Sequence, residues 1–413
     1  MSNYNTLQKL AIECPDDKVV IIAPPGSGKT YALTGAIKKY VDEHPLDKVV
    51  AITFTKKAAS ELFFKLADYP GVDTATIHSW SLKELNRLGA KHKFKVSLLS
   101  DIQVQEILQF LCKRLGYYSI NYYMLTAFIM GNYNIDISDG TKARFQKILN
   151  TYIQYKRDNG LYDFTDLPLY LYDMLIEYDE TIKHIDALFV DEFQDVDSTQ
   201  AVIFKMVNAK KHFYIGDPDQ AIYIFRGAEA KVLDELEGFT KMRLEENYRS
   251  YQAIIDFSTL VRSDIQRPTE ITSLETSWIK CVRKDELGEV YTIDECGDGR
   301  DLVNNKRVDS YKLLNMFLQR KPYILCRSNK QVKSIQNLGY KNVSTIHQAK
   351  GLEYSYVIMT DMDLAGDEEI NIAYVGCTRA QNGLLVADYS QLMNLLEELI
   401  SEDDSIVATR KLF

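Results

Sequence analysis

The sequence predicts an α/β fold of parallel sheets flanked by helices, divided into at least two units. Apolar, β-rich runs at residues 19–22 and 49–55 are each followed by a helical pattern, at residues 31–40 and 56–66. Alternating strand and helix is the signature of a parallel sheet. The same alternation resumes from residue 323 after a charged, poorly periodic interval. A chain of 413 residues is also too long for one ordinary core.

Residues 21–30, IIAPPGSGKT, join the first strand to the first helix. Strand, glycine-bearing loop and helix in that order suit a phosphate-binding loop, in which backbone N–H groups and the helix N-terminus face one anion. Ala23, Pro24, Pro25, Gly26, Ser27 and Gly28 form the loop, although the general pattern begins with glycine and this one with Ala23. Gly26 and Gly28 allow backbone approach that a β-carbon would obstruct. Lys29 is expected to reach the β- and γ-phosphates and the Thr30 hydroxyl to ligate Mg²⁺. By itself the motif indicates a nucleoside triphosphate and no more.

Composition narrows the class. The longest apolar runs fall short of the ~20 residues that cross a bilayer, and the first residues, MSNYNTLQKL, lack the form of a signal peptide. The six cysteines include no C-x-x-C pair, which suits a reducing cytosol and argues against zinc or iron–sulfur. A net charge of −9 weighs against a protein that coats nucleic acid, but not against a narrow groove that follows one strand.

The remaining elements follow in order. Gln8, just ahead of the first strand, can read an adenine edge through its amide or lie on the surface. Residues 74–80, TATIHSW, read as a short strand with polar groups at its end, where His78 is a core histidine or a contact. From residue 81 to about 160 helical periodicity and many tyrosines take over, as in a helical insertion. At residues 187–195, ALFVDEFQD, an apolar strand ends in adjacent carboxylates. Asp191 can hold Mg²⁺ and Glu192 can orient and deprotonate an attacking water. Another strand leads to residues 216–228, where Gln220 sits in a loop that can sense a γ-phosphate. Tyr223, Phe225 and Arg226 there form either a stacking platform for single-stranded bases or a packed strand. Tyr248 and Arg249 place an aromatic ring beside a guanidinium.

Together these stretches resemble the superfamily 1 DNA helicases of the UvrD/Rep/PcrA kind. NTLQ (5–8), ITFTKKAASEL (52–62), TIHSW (76–80), DFTDL (163–167), VDEFQD (190–195), GDPDQAIYIFRGA (216–228), LEENYRS (244–250), TIHQAKGLE (345–353) and YVGCTRA (374–380) match that family's motifs in order. The family's phosphate loop usually begins with alanine, as here. Lys56 stands where asparagine is usual, Phe225 where tryptophan is frequent, and VGCTRA departs slightly from the common form.

The resemblance implies two RecA-like P-loop NTPase cores, each with an insertion, and ATP with Mg²⁺ at their interface. It implies Gln8 and Tyr248 on the adenine, Glu353 on the ribose and Gly351 beside it. Arg249 and Arg379 are implied as arginine fingers from the second core, and Gln220 as the link from γ-phosphate to DNA. Phe54, Thr55, Lys56, His78, Tyr223, Phe225, Arg226, Thr345 and His347 are implied as strand contacts. Expected boundaries are residues 1–80, 163–240 (first core), 81–162 (helical insertion), 241–262, 321–413 (second core) and 263–320 (small insertion).

The function expected is a DNA-dependent ATPase that moves 3′-to-5′ on single strands and opens duplexes carrying a 3′ single-stranded tail. It would act as a monomer or transient oligomer with replication or repair proteins. The expected setting is the cytoplasm of a bacterial or phage-infected cell, nucleoid-associated on DNA, with no membrane contact. The reduced second insertion favours, as the alternative, a translocase that displaces DNA-bound proteins and unwinds little. A kinase or a binding-only subunit is disfavoured by the two arginine motifs and the intact Lys29, Asp191 and Glu192. No C-terminal nuclease domain is expected.

Overall fold

The computed structural model describes residues 4–129, 137–222, 233, 236–262, 279–282, 288–361 and 366–402. Its strands are β1 (Lys18–Ile22), β2 (Val49–Thr53), β3 (Val72–Thr76), β4 (Ala187–Val190), β5 (Lys211–Gly216), β6 (Thr240–Arg243), β7 (Glu246–Asn247), β8 (Lys280–Cys281), β9 (Glu289–Ile293), β10 (Gly299–Asp301), β11 (Lys306–Val308), β12 (Tyr323–Cys326), β13 (Val343–Thr345), β14 (Tyr354–Thr360) and β15 (Ala380–Ala387).

The first sheet runs β3-β2-β4-β5-β1-β6 and every neighbouring pair is parallel. Its strands β1, β2 and β4 are mostly apolar because helices cover both faces, whereas the edge strands β3 (VDTAT) and β6 (TKMR) carry polar residues. Successive residues of β4 therefore feed two cores: Ala187 and Phe189 pack with Leu33, Ile37 and Phe213, while Leu188 and Val190 pack with Trp80, Leu171 and Phe204. Such strict alternation is the two-residue period of a strand.

The second sheet runs β11-β10-β9-β15-β14-β12-β13, parallel from β9 to β13 and antiparallel across β9, β10 and β11. Along β14, Val357 and Met359 face one core and Ile358 the other. The helix Gln252–Arg262 contributes Ala253, Phe257 and Val261 to the core that holds Val357 and Met359.

Three features differ from expectation. Residues 289–308, read as part of an insertion, supply three strands to the second sheet. Val290 and Ile293 are buried, and the turns that reverse the chain use Gly297 at φ +82° and Asn305 at φ +50°. The first sheet also extends past residue 240, since β6 pairs with β1. Finally, the TIHSW segment is not strand to its end. Thr76 accepts the Ser79 N–H and Ser79 reaches back to the Thr76 N–H, a capping box that starts the helix Ile77–His92.

Among the described residues between the strands at 72–76 and 187–190 are the helices Asp101–Arg114, Tyr122–Ile129 and Asp139–Asp158, which share a core of their own around Leu108, Phe128 and Phe145. The last helix is tied to the DFTDL segment by a buried charge cluster. Lys156 Nζ and the Tyr152 hydroxyl each donate to Asp163 Oδ2 at 2.8 Å, and Lys156 also reaches Asp166 at 2.5 Å.

On β5, His212 is buried with its Nδ1 2.9 Å from the Tyr214 hydroxyl. Burial, and then the Lys18 charge, hold its imidazole down to about 4. An unfolded histidine titrates near 6.5, so between these values the unfolded chain takes up a proton that the folded chain refuses. Stability is expected to fall by up to about 3 kcal/mol from this residue as pH drops from roughly 6.5 to 4. Urea unfolding across that range should show a shallower decline in His212→Gln than in the parent.

Candidate functional site

The loop after β1 is fixed by its own backbone. The Ala23 N–H donates to the Gly216 carbonyl at 2.9 Å, and the Ser27 hydroxyl donates to the Pro24 carbonyl at 2.7 Å. Gly26 and Gly28 take φ values of +74° and +81°, which L side chains rarely adopt. Gly28 precedes the helix Lys29–Glu43 without a side-chain cap, so the first-turn N–H groups face the cleft uncapped.

The polypeptide after β6 then docks on this loop. Asn247 is buried, donates from Nδ2 to the Pro25 carbonyl at 2.8 Å and accepts from the Arg249 and Ser250 N–H groups at 2.9 and 2.8 Å. The Tyr248 N–H donates to the Gly26 carbonyl at 2.9 Å. A β-carbon on Gly26 would lie 2.6 Å from that of Arg249, so the glycine also permits this close approach.

The resulting cleft, of about 440 Å³, is lined from both halves of the chain by Lys29, Thr30, Glu192, Gln220, Tyr248, Arg249, Gly351, Glu353 and Arg379, together with Lys65 and Gln381. Lys29 Nζ lies 3.2 Å from Glu192 Oε2, a pairing a phosphate can displace. Glu192 sits at φ +51°, a strained position for a non-glycine residue, directly after buried Asp191. Burial, then repulsion from Glu192, push the Asp191 carboxyl up to about 7. Glu192 is subject to the same burial, yet Lys29, Lys350 and Gln194 outweigh it and hold the carboxyl down to about 2. Asp191 is thus a buried carboxyl in need of a cation, and Glu192 a carboxylate kept ionised.

Thr30 lines this cleft, and Asp191 is buried directly before Glu192, which also lines it. Among the described residues no group of three or more His, Cys, Asp or Glu side chains could hold a metal ion. A cation held by Thr30 and Asp191 would need further ligands from water or phosphate, as Mg²⁺ commonly has.

Gln194 donates to Glu192 Oε2 at 2.7 Å and accepts the Asp217 N–H at 2.9 Å, joining the two acidic loops. Gln220 donates to Asp217 at 2.8 Å and accepts from Arg379 at 3.2 Å. Arg379 is 1% exposed and fixed by the carbonyls of Val375 and Leu352. Arg249 instead donates from Nε to Glu353 at 2.7 Å, and Gln381 donates to the other oxygen of Glu353 at 3.0 Å. Between the halves, Lys350 Nζ donates to both oxygens of Asp195 at 2.7 Å and to the Gln220 carbonyl at 2.8 Å.

At the other end of the cleft, Gln8 is buried. Its amide donates to the Ser27 carbonyl at 3.0 Å and accepts the Asn5 N–H at 3.2 Å, which leaves one donor and one acceptor. Tyr248 is 41% exposed, with its hydroxyl tied to Asn5 and Glu246.

The residues expected on a DNA strand do not all fare alike. Thr55 caps the helix Lys56–Lys65, at whose start Lys56 is exposed, and Phe54 is half-buried beside them. His78 stacks on Phe164 with centroids 5.7 Å apart. His347 is half-buried in the turn Ile346–Ala349. Thr345 is the correction: it is fully buried, with its hydroxyl accepting the Gln348 N–H at 3.3 Å, so it supports His347 and has no surface to offer. Tyr223, Phe225 and Arg226 lie outside the described residues.

Asn247, Gln194, Lys65, Lys350 and Gln381 were not singled out from the sequence. Gln194 and Lys350 stand inside recognised motifs, but their roles depend on contacts across the fold. Asn247→Ala removes three hydrogen bonds, two of them buried, and is expected to cost about 2–3 kcal/mol, measured by urea unfolding.

A family model described as the UvrD/REP helicase N-terminal domain matches residues 4–241, and one described as the UvrD-like helicase C-terminal domain matches residues 342–387. A probable DNA helicase of Mycoplasma pneumoniae is 25% identical over 453 aligned positions, covering 94% of this chain and 84% of the relative. DNA helicase II of Escherichia coli is 26% identical over 62% of this chain, and the ATP-dependent DNA helicase Rep of Buchnera aphidicola (subsp. Acyrthosiphon pisum) 28% over 61%. The matches span only 39% and 44% of the latter two. With more than half its length matched by the N-terminal model, the chain belongs to the UvrD/REP helicase family.

Proposed function

We propose that this chain is an ATP-driven motor on single-stranded DNA that moves 3′-to-5′ and opens duplexes with a 3′ tail. The observation that carries the reading is the meeting of Lys29, Glu192 and Gln220 with Arg249 and Arg379 in one cleft. Two arginine motifs from separate segments, together with a second sheet, weigh against a simple kinase. The names of the relatives, DNA helicases, support the ATP-driven action on DNA in this reading.

In this reading Tyr248 stacks on adenine, the spare donor and acceptor of Gln8 read its edge, and Glu353 takes the ribose hydroxyls. Backbone N–H groups of residues 26–30 hold the phosphates, with Lys29 released from Glu192 to neutralise them. Thr30 and Asp191 would hold Mg²⁺, which when bound offsets charge on the β- and γ-oxygens. Glu192 orients a water in line with the γ-phosphate and accepts its proton, its ionised form being the one the site favours. Arg379 and Arg249 stabilise charge on the transferring group.

Gln220 passes the state of the γ-phosphate in two directions. Its amide is bonded to Arg379, and its backbone carbonyl to Lys350. The chain leads from Gln220 directly towards Tyr223, Phe225 and Arg226, the proposed stacking platform. Phe54, Thr55, Lys56, His78 and His347 would grip the same strand.

A second reading, a translocase that displaces DNA-bound proteins, is favoured by one observation. Only residues 263–288 separate the helix Gln252–Arg262 from β9, which belongs to the sheet. That span is short for a separate strand-splitting or regulatory domain.

Hydrolysis is expected to be strongly stimulated by single-stranded DNA and to fall ~10²-fold or more in Glu192→Gln and ~10³-fold or more in Arg379→Ala. Of a 3′-tailed and a 5′-tailed duplex, only the first should open. Stimulation with neither opened would select the second reading, and hydrolysis indifferent to DNA would overturn both.

A further inference from the structure

Glu353 is held in the cleft from both sides. Its Oε2 accepts from Arg249 Nε at 2.7 Å, and its Oε1 accepts from Gln381 Nε2 at 3.0 Å. Only the amide nitrogen can donate to a carboxylate, so chemistry fixes which way the Gln381 amide points. Gln381 itself lines the cleft. We infer that Gln381 is a positioning residue for the sugar: it holds the Glu353 carboxylate ready for the ribose hydroxyls and so sets the preference for a nucleotide that carries them. This rests on the ATPase reading above, with Glu353 on the ribose, and adds the residue that orients Glu353.

A break in strand register aims Gln381 at the cleft. Tyr354 of β14 pairs with Ala380 of β15 and Tyr356 with Gly383, so two steps along β14 match three along β15. A bulge of this kind bends the strand and re-aims a side chain. The backbone here is also pinned from outside the sheet. The Ser250 hydroxyl donates to the Ala380 carbonyl at 2.6 Å, and the Tyr251 N–H to the Gln381 carbonyl at 3.0 Å. The residues that follow Arg249 in the chain therefore support Gln381, and the two donors that meet on Glu353 share one base.

A carboxylate offers about four acceptor positions. Arg249 and Gln381 take two of them, which leaves as many as a ribose has hydroxyls at its 2′ and 3′ carbons. Of the two donors only Gln381 is uncharged. Arg249 is proposed to act on the transferring group as well, whereas Gln381 has no charge for a triphosphate to attract and keeps its hold on Glu353 throughout. The Glu353 side chain is 49% exposed, so without this tether the nucleotide itself would have to order it. Ordering one such side chain costs roughly two- to tenfold in affinity.

The test is to measure kcat and KM for ATP and for 2′,3′-dideoxy-ATP, with saturating single-stranded DNA, in the parent chain, Gln381→Met, Glu353→Ala and the double variant. Methionine keeps the length of the side chain and removes the donor. In the parent, KM should be lower for ATP than for the dideoxy nucleotide by about tenfold or more. Gln381→Met should raise KM for ATP by about three- to tenfold, leaving KM for the dideoxy nucleotide and kcat for both within about twofold of the parent. In Glu353→Ala the two nucleotides should share one KM, and adding Gln381→Met should move neither, because the amide acts only through the carboxylate. A Gln381→Met enzyme whose KM rises equally for both nucleotides, or for neither, would overturn the inference and leave the ATPase reading standing. So would a further effect of Gln381→Met in the Glu353→Ala background. A parent that does not distinguish the two sugars would remove the ribose contact of Glu353, and the inference with it. A parent chain that hydrolyses neither nucleotide would overturn the ATPase reading itself.

Discussion

The cleft depends on one buried ion pair that crosses between the halves of the chain. Lys350, in the turn after β13, places its ammonium on both oxygens of Asp195 and on the Gln220 carbonyl. Asp195 is 1% and Lys350 9% exposed at the side chain. Removing either charge from water costs several kcal/mol, and an interface with one partner missing would carry an uncompensated ion. Such a contact contributes little net stability but fixes one relative arrangement. The choice of partners matters more than the energy. Asp195 closes the loop that begins with Asp191 and Glu192, and the Gln220 carbonyl belongs to the residue that bonds Arg379. The acidic loop, the sensing loop and the second sheet are thereby joined at one nitrogen.

Around that joint the charges are already paired in ways that nucleotide must rearrange. Lys29 lies on Glu192 and Arg249 on Glu353. Cations gathered to meet a triphosphate would otherwise repel one another, and the carboxylates that neutralise them are those proposed to act on water and sugar. Arg379 is the exception, since buried carbonyls hold it in place whether or not an anion is present.

Much of this was legible in the sequence because its signals are local. A glycine-bearing turn between strand and helix, or a strand ending in two carboxylates, carries its meaning within ten residues. The capping boxes at Thr76 and Thr345 are equally local, yet TIHSW reads as a strand end and Thr345 enters only through the resemblance, so its buried state is not legible there. Strands β9, β10 and β11 are obscured by charge: they are short, and half-buried Arg300 with exposed Lys306 and Arg307 masks Val290 and Ile293. Nothing local marks Asn247, although it lies within LEENYRS, or Gln381 as a part of the cleft. The bonds that matter, from Asn247 to the Pro25 carbonyl and from Gln381 to Glu353, go to residues far away in the chain, and only the folded arrangement brings these together.

The segment after β6 has a practical consequence for dividing the molecule. The N-terminal family model ends at residue 241, within β6, and a natural place to cut would be there. A fragment so cut would lose Asn247 and with it the support for the Pro25 carbonyl, and Gly26 would face solvent with nothing packed on it. The phosphate loop is completed from across the sequence boundary, so the smallest piece that carries it intact runs at least to Ser250. What sequence comparison separates as two modules is, in covalent terms, a loop from one and a lid from the chain leading to the other.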